Sequence, residues 1–344
     1  MIKSLSVLKQ ISDEQEIDST TADAIETVSV LLEEGLASVE SELLTGIEGA
    51  PRPVSDIAAY ILDAGGKRIR PSLCILCAKA FSATATPTDL AIICELLHNA
   101  TLLHDDVIDE GDLRRGKSSA RMVWSNALSI LGGDYMLMRC VEMMSEMPAV
   151  YMRRFVKTLK ALVEGEIIQL RLRESVSTTR DDYFRIVEGK TSSLFAFAAF
   201  SGATAGGASA QVIDEMTAFG QHIGVAFQLI DDVLDFSSDV VSLGKNLLAD
   251  ISQGKMTLPV ILAAAQDTTV IDALNDLKNG GPAEDCAKKI VSAVTRSNAL
   301  AITRDEASRH TILALEALDR VSAPNAAVIK VLGQLAKTLL HRGN

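Results

Sequence analysis

Apolar residues recur at helical spacing from about residue 20 to the end of the chain, and the alternation that marks a half-buried strand is nearly absent. Residues 22–46 read as an amphipathic helix with an acidic face (Glu26, Glu33, Glu34, Glu40, Glu42), which Pro51 and Pro53 break. A helix over 54–64 ends at Gly65-Gly66, a C-cap signature, and Pro71 opens the next helix in its first turn. Segment 82–88 is a loop, 89–109 a long helix and 110–118 a charged loop. Helices follow over 119–131, 133–146, 149–174, 181–206 and 209–236, then a polar stretch over 237–256 and about three further helices. Residues 1–20 read as a flexible tail. With no linker-like composition elsewhere, residues 21–344 read as one all-α domain, a single-domain helical bundle.

The bulk numbers sharpen this picture. Hydrophobic residues make up 48% of the 344, enough for a large core, and aromatics only 4%, so Ala, Leu, Ile, Val and Met must fill it. A formal charge of −12 argues against nucleic acid as a partner but leaves room for phosphorylated small molecules, which need only a local basic patch. The five cysteines, Cys74, Cys77, Cys94, Cys140 and Cys286, lie scattered in apolar stretches and read as reduced core residues of a cytoplasmic protein. No apolar run has the length of a signal peptide or a membrane span.

The candidate chemistry starts with two copies of one pattern, Asp105-Asp106-x-x-Asp109 and Asp231-Asp232-x-x-Asp235, each preceded by an apolar run. Positions i, i+1 and i+4 share one side of a helix, so each copy projects three carboxylates. At ~5 Å and an effective dielectric near 20, two carboxylates repel by roughly 3 kcal/mol, which calls for cations between them. Oxygen ligands without His or Cys favour magnesium, which completes its shell with substrate phosphates.

Basic residues stand close by. Lys67, Arg68 and Arg70 mark a helix junction, Arg114-Arg115-Gly116-Lys117 follows the first acid motif, and Lys245 and Lys255 each follow a glycine. Lys190 is set between Ile186-Val187 and Leu194-Phe195, where a lysine needs a partner or an anion. Acids for magnesium, bases for phosphate and an apolar wall point to a prenyl diphosphate.

These features bring the sequence to resemble the trans-isoprenyl diphosphate synthases, the head-to-tail polyprenyl synthases, from about residue 30 to the C-terminus. The motifs are GGKRIRP (65–71), LLHNATLLHDDVIDEGDLRRG (96–116), GD (133–134), GEIIQL (165–170), GKT (189–191), FQLIDDVLDF (227–236) and GKNLLADISQGKMTLP (244–259). The resemblance implies an isoprenoid synthase-type bundle around a central cavity and a homodimer. Asp105, Asp106, Asp109, Asp231, Asp232 and Asp235 would hold magnesium, three ions per site with diphosphate bound. Arg114, Lys190, Gln228, Lys245 and Lys255 would neutralise the allylic diphosphate with help from Thr191, and Lys67, Arg70, His98 and Arg115 would bind isopentenyl diphosphate. Gln169 would line the metal cavity. After the second acid motif the family commonly has Gly and an acidic pair; here Leu248-Ala249-Asp250 and Gln253 stand there.

Product length is read from the helix before Asp105. Ala100 and Thr101, one turn up, are small where short-chain enzymes often carry aromatics, so the tunnel reads as open and the product as about thirty to fifty carbons, with eight isoprene units the best guess. Tyr135, Met136, Met138 and Met143 are candidate floors. A long product implies transient membrane contact at release. Competing readings are a short-chain farnesyl or geranylgeranyl synthase, a catalytic subunit of a heteromeric synthase, a non-catalytic partner subunit, a terpene cyclase and an HD-type phosphohydrolase. The last needs more His ligands than the five present readily provide, and the cyclase leaves the two arginine clusters unexplained.

Overall fold

A computed structural model describes residues 19–45, 50–82, 84, 87–173, 175–176, 178–236 and 255–341. Most of the tail over 1–20, together with Lys245 and the 246–253 loop, lies outside the described residues. The chain resolves into two compact units, each assembled from three separated stretches: 1–156, 196–217 and 318–335 form the first, and 157–195, 218–317 and 336–344 the second.

The first unit begins with α1 (Ser19–Thr45), whose Val28, Leu32, Leu36, Val39 and Leu43 are buried at intervals of three and four. Each such side chain contributes about 1.5–3 kcal/mol. Helices α2 (Val54–Asp63) and α3 (Ile69–Phe81) follow, and α3 is buried almost all round. Helix α4 (Thr88–Ile108) packs most extensively on α6 (Asn126–Ser145). Between them come a two-residue hairpin, β1 (Leu113–Arg114) with β2 (Lys117–Ser118), and the short α5 (Ala120–Val123). The hairpin occupies the stretch expected to be a loop, and its turn residues Arg115 (φ 51°) and Gly116 (φ 77°) both have positive φ, the backbone of a type I′ turn.

The helix break expected at residue 132 falls instead at Trp124-Ser125. The Ser125 hydroxyl accepts from Leu128 N at 3.2 Å, a side-chain N-cap, and Gly132-Gly133 run on as helix. Helix α7 (Ala149–Leu172) runs from the first unit's sequence into the second's.

In the second unit, α8 (Arg180–Val187) starts at a capping box in which Thr179 and Asp182 exchange bonds. A single π-turn (Glu188–Ser192) follows, then α9 (Ser193–Ala205) and α10 (Ala210–Leu234). The sequence pattern reads α8 to α9 as one helix; the π-turn is not visible in it. Five helices rather than three complete the described chain: α11 (Leu258–Ala264), α12 (Thr269–Lys278), α13 (Ala283–Arg296), α14 (Ala299–Asp319) and α15 (Ala326–His341). The unit's core joins Tyr183, Val187, Val225, Leu229, Ile230, Leu258 and Ile261, with a second cluster around Val260, Leu274, Ile290 and Val294.

Candidate functional site

Each acid motif closes a helix. Asp109 N donates to Asp105 O at 2.7 Å at the end of α4, and Asp235 N donates to Asp231 O at 3.1 Å at the end of α10. Carboxylates at a helix C-terminus face unsatisfied carbonyls and the negative end of the dipole, so both places demand positive charge. In both motifs the middle acid is buried, Asp106 at 2% and Asp232 at 3% exposure, while the outer acids are half-buried.

In the first unit Arg114 meets that demand. Its Nε and Nη2 reach Asp106 Oδ1 at 2.9 and 2.5 Å, whereas Asp106 Oδ2 is buried without a hydrogen-bond partner. Ser119 Oγ donates to Gly111 O at 2.6 Å, and Arg121 donates to Glu110 O, Gly111 O and Asp112 Oδ1, fixing the loop that carries the hairpin. Behind the motif, His104 Nε2 lies 3.2 Å from Asp134 Oδ1. A Cβ on Gly133 would sit 2.4 Å from that imidazole nitrogen, so a larger residue there would push the partly exposed His104 ring aside.

The cations of the same unit divide into two kinds. Arg68 is buried and bound to Glu40 Oε1 at 2.6 Å, Glu95 Oε1 at 2.5 Å and Leu62 O at 3.2 Å. Burial opposes its charge, but the Glu40 hydrogen bond and the Glu95 field outweigh this and raise its pKa. Arg68 is therefore a structural cation, and Glu40 and Glu95 are partners that the sequence pattern does not disclose. Arg70, Arg115 and Arg114 instead crowd His98: burial first, then Arg70 and Arg115, pushes the imidazole pKa well down, so His98 is neutral at neutral pH. Burial, and then the nearby Arg68 and Arg114, also lowers the Arg115 pKa, against the pull of Glu95. Guanidinium groups that repel one another around a neutral imidazole could hold an anion. Lys67 is half-buried at the same junction.

In the second unit, three elements meet around α10's acids. The position of a Cβ on Gly189 is 2.6 Å from Ala161 O, so the π-turn presses directly on the α7 backbone. That approach brings Lys190 Nζ to Gln169 Oε1 at 3.2 Å and into an ion pair with Glu166. Neither Glu166 oxygen accepts a hydrogen bond of ordinary geometry, and Gln169 Nε2 is buried with no acceptor. Thr191 Oγ1 donates to Gln228 Oε1 at 2.8 Å, Gln228 Nε2 to Asp232 Oδ1 at 2.9 Å, and the Tyr183 hydroxyl to Asp232 Oδ2 at 2.6 Å. Burial, together with Asp232, drives the Tyr183 pKa well up, so the phenol keeps its proton. Glu166 and Tyr183 escape sequence reasoning, although a lysine set in apolar residues already signals a hidden counter-ion. Lys255 is half-buried just before α11. Among the described residues, no three acidic, imidazole or thiol side chains already form a metal cage.

On α4, Ala100 is buried, and Thr101 Oγ1 donates to His98 O at 2.8 Å. Of the candidate floor residues on α6, Met136 is buried, Tyr135 and Met143 are half-buried, and Met138 is 43% exposed, so Met138 lies on the surface rather than along an interior wall. All five cysteines are buried thiols.

Residues 51–294 match the family model described as Polyprenyl synthetase. The all-trans-nonaprenyl-diphosphate synthase (geranyl-diphosphate specific) of Rhodobacter capsulatus is 35% identical over 89% of this chain and 94% of its own length. The octaprenyl diphosphate synthase of Escherichia coli is 32% identical over 86% and 92%. Among solved structures, a polyprenyl synthase from Caulobacter crescentus complexed with calcium and isoprenyl diphosphate superposes with a TM-score of 0.84 at 30% identity, covering 91% of this chain and 96% of that one.

Proposed function

The chain belongs to the polyprenyl synthetase family, and on that footing we propose that it joins isopentenyl diphosphate to an allylic prenyl diphosphate head to tail, releasing an all-trans polyprenyl diphosphate of about forty carbons. It is a prenyltransferase with the all-α fold of that family. The observation that carries the reading is the pairing of an acid-tipped helix end with a cluster of arginines around a neutral His98 in the first unit.

The residues fit a divalent cation with hard ligands: the donors are carboxylate oxygens at helix C-termini, and the buried Asp106 Oδ2 has no donor of its own. Magnesium bound by one or two carboxylates plus substrate phosphates needs no ready-made protein cage. When bound, the metal neutralises diphosphate as a leaving group; the proposal has three ions per site. Asp105, Asp106 through its open Oδ2, and Asp109 would hold it at the first motif, and Asp231 and Asp235 at the second, with Asp232 fixed behind them.

Arg114, Lys190 and Lys255 neutralise the allylic diphosphate, and Gln228 and Thr191 orient it. Lys67, Arg70 and Arg115 bind isopentenyl diphosphate, with His98 donating one hydrogen bond as a neutral ring. As the allylic C1–O bond breaks, the isopentenyl double bond attacks C1. The proton lost from the new adduct passes to the departing diphosphate. Ala100 and Thr101 leave room for growth, each buried methylene contributing ~0.8 kcal/mol.

The proposal extends to a homodimer and a cytoplasmic location. Exposed Leu131, Met138 and Val141 stripe α6, and exposed Val163, Ile167 and Leu170 stripe α7, apolar faces of the kind a partner covers. Among the described residues no helix is long and apolar enough to cross a membrane. The test is product analysis with purified protein, magnesium, labelled isopentenyl diphosphate and farnesyl diphosphate. A ladder ending near forty carbons, abolished by a chelator, supports the proposal. Absence of incorporation overturns it, and arrest at twenty carbons overturns the assignment of Ala100 and Thr101.

A further inference from the structure

Tyr183 belongs to none of the motifs quoted above, yet it reaches the middle acid of the second one. Asp232 is 3% exposed and takes two neutral donors, the Tyr183 hydroxyl at 2.6 Å on Oδ2 and Gln228 Nε2 at 2.9 Å on Oδ1. Gln228 is itself held by Thr191 at 2.8 Å. The result is a hydrogen-bond chain, Thr191 to Gln228 to Asp232 from Tyr183. It begins and ends on the single stretch made of α8 and the π-turn.

The π-turn explains how that stretch supplies both ends. In a regular helix, residues eight apart are rotated by about 80°. An i→i+5 turn absorbs about one extra residue, so the eight steps from Tyr183 to Thr191 count as about seven, close to two full turns. Tyr183 and Thr191 are thus brought to one side, two turns apart. Gln228 and Asp232, an i, i+4 pair one turn apart on α10, are the groups that the two side chains meet.

We propose that Tyr183 is a positioning residue for the second acid motif: its phenol, aligned with Thr191 by the π-turn, locks the Asp232 carboxylate and thereby sets the geometry in which Asp231 and Asp235 receive a divalent cation with diphosphate. The inference rests on the diphosphate-synthase reading above. Partners that fix ligand-bearing groups from behind commonly alter metal affinity or activity by about 10- to 100-fold when removed. Tyr183→Phe deletes one oxygen and leaves the ring packed against Phe184.

The experiment titrates Mg2+ into the full-length protein in the presence of inorganic pyrophosphate by isothermal calorimetry, with isopentenyl diphosphate KM and thermal melting measured alongside. Tyr183→Phe is expected to raise the Mg2+ midpoint about tenfold or more while the isopentenyl diphosphate KM stays within about twofold. Phe184→Leu, which loosens the same packing without touching Asp232, is expected to lower the melting temperature and leave the midpoint in place. In an Asp232→Asn background, Tyr183→Phe is expected to add nothing. Thr191→Val, at the other end of the chain, is expected to shift the midpoint in the same direction and serves if Tyr183→Phe does not fold. An unchanged midpoint in Tyr183→Phe, an equal shift in Phe184→Leu, or a further shift in the Asp232→Asn background overturns the inference. Wild-type protein that binds no Mg2+–pyrophosphate and makes no product overturns the functional reading itself.

Discussion

Of the three cations in the Lys67–Arg70 stretch, Arg68 is expected to matter for folding rather than for substrate, and Arg68→Met separates the two roles. The substitution keeps an unbranched apolar stem and removes the guanidinium that reaches Glu40 at 2.6 Å, Glu95 at 2.5 Å and Leu62 O at 3.2 Å. Glu40 is partly exposed and can turn to water, so its loss is small. Glu95 is 3% exposed and would keep the amide of Asn99, at 3.1 Å, and the longer-range field of Arg115 in place of a bonded cation. Leaving one partner of a buried ion pair without its counter-charge costs about 3–5 kcal/mol. The assay is urea unfolding followed by circular dichroism, with steady-state kinetics on the folded variant. The expected result is a stability loss of that size with isopentenyl diphosphate KM within about threefold of wild type, whereas Arg70→Met should raise KM by more than tenfold at nearly unchanged stability. An Arg68→Met protein as stable as wild type but with a large KM defect would refute the division into structural and anion-binding cations.

Three further outcomes follow from the geometry. Burial, with His222 and Arg309 nearby, lowers the His310 pKa from 6.5 to about 4. The unfolded chain therefore binds this proton first, and stability is expected to fall by about 3 kcal/mol as pH drops from 6.5 through 4, being full above 6.5; denaturant unfolding across that range checks it, and His310→Phe should flatten the slope. Gly133→Ala places a methyl 2.4 Å from the partly exposed His104 ring, which must swing away from Asp134, so thermal melting should show a modest loss of stability, while Gly116→Ala, with open space around it, should show only the modest strain of its positive φ. Ala100→Phe should shorten the product to about twenty carbons while initial incorporation persists, and chromatography of the dephosphorylated products reads this directly.

Much of the architecture is written in local pattern. The i, i+4 spacing of Val28, Leu32 and Leu36 announces α1, and the apolar runs before Asp105 and Asp231 announce α4 and α10. What stays hidden is set by non-local packing. Gly132-Gly133 look like a break but are pressed against Ile57 and His104, so the helix runs through, and Ser125 caps it where the sequence offers only a weak signal. Lys190 looks unaccompanied because its counter-ion, Glu166, is on α7. Arg68 looks like its neighbours until Glu40 and Glu95, both more than twenty-five positions away, converge on it. The π-turn has no pattern of its own, because it arises where Gly189 lets two backbones touch.

The five buried thiols make each unit its own stopwatch. Burial pushes the Cys77, Cys94 and Cys140 pKa values up, and a protonated, enclosed sulfur does not react with an alkylating agent. Cys74, Cys77, Cys94 and Cys140 belong to the first unit and Cys286 to the second. Mass spectrometry of the labelled peptides would therefore time the opening of the two units separately in one tube, without any engineered probe, and would reveal whether substrate quiets one, the other or both.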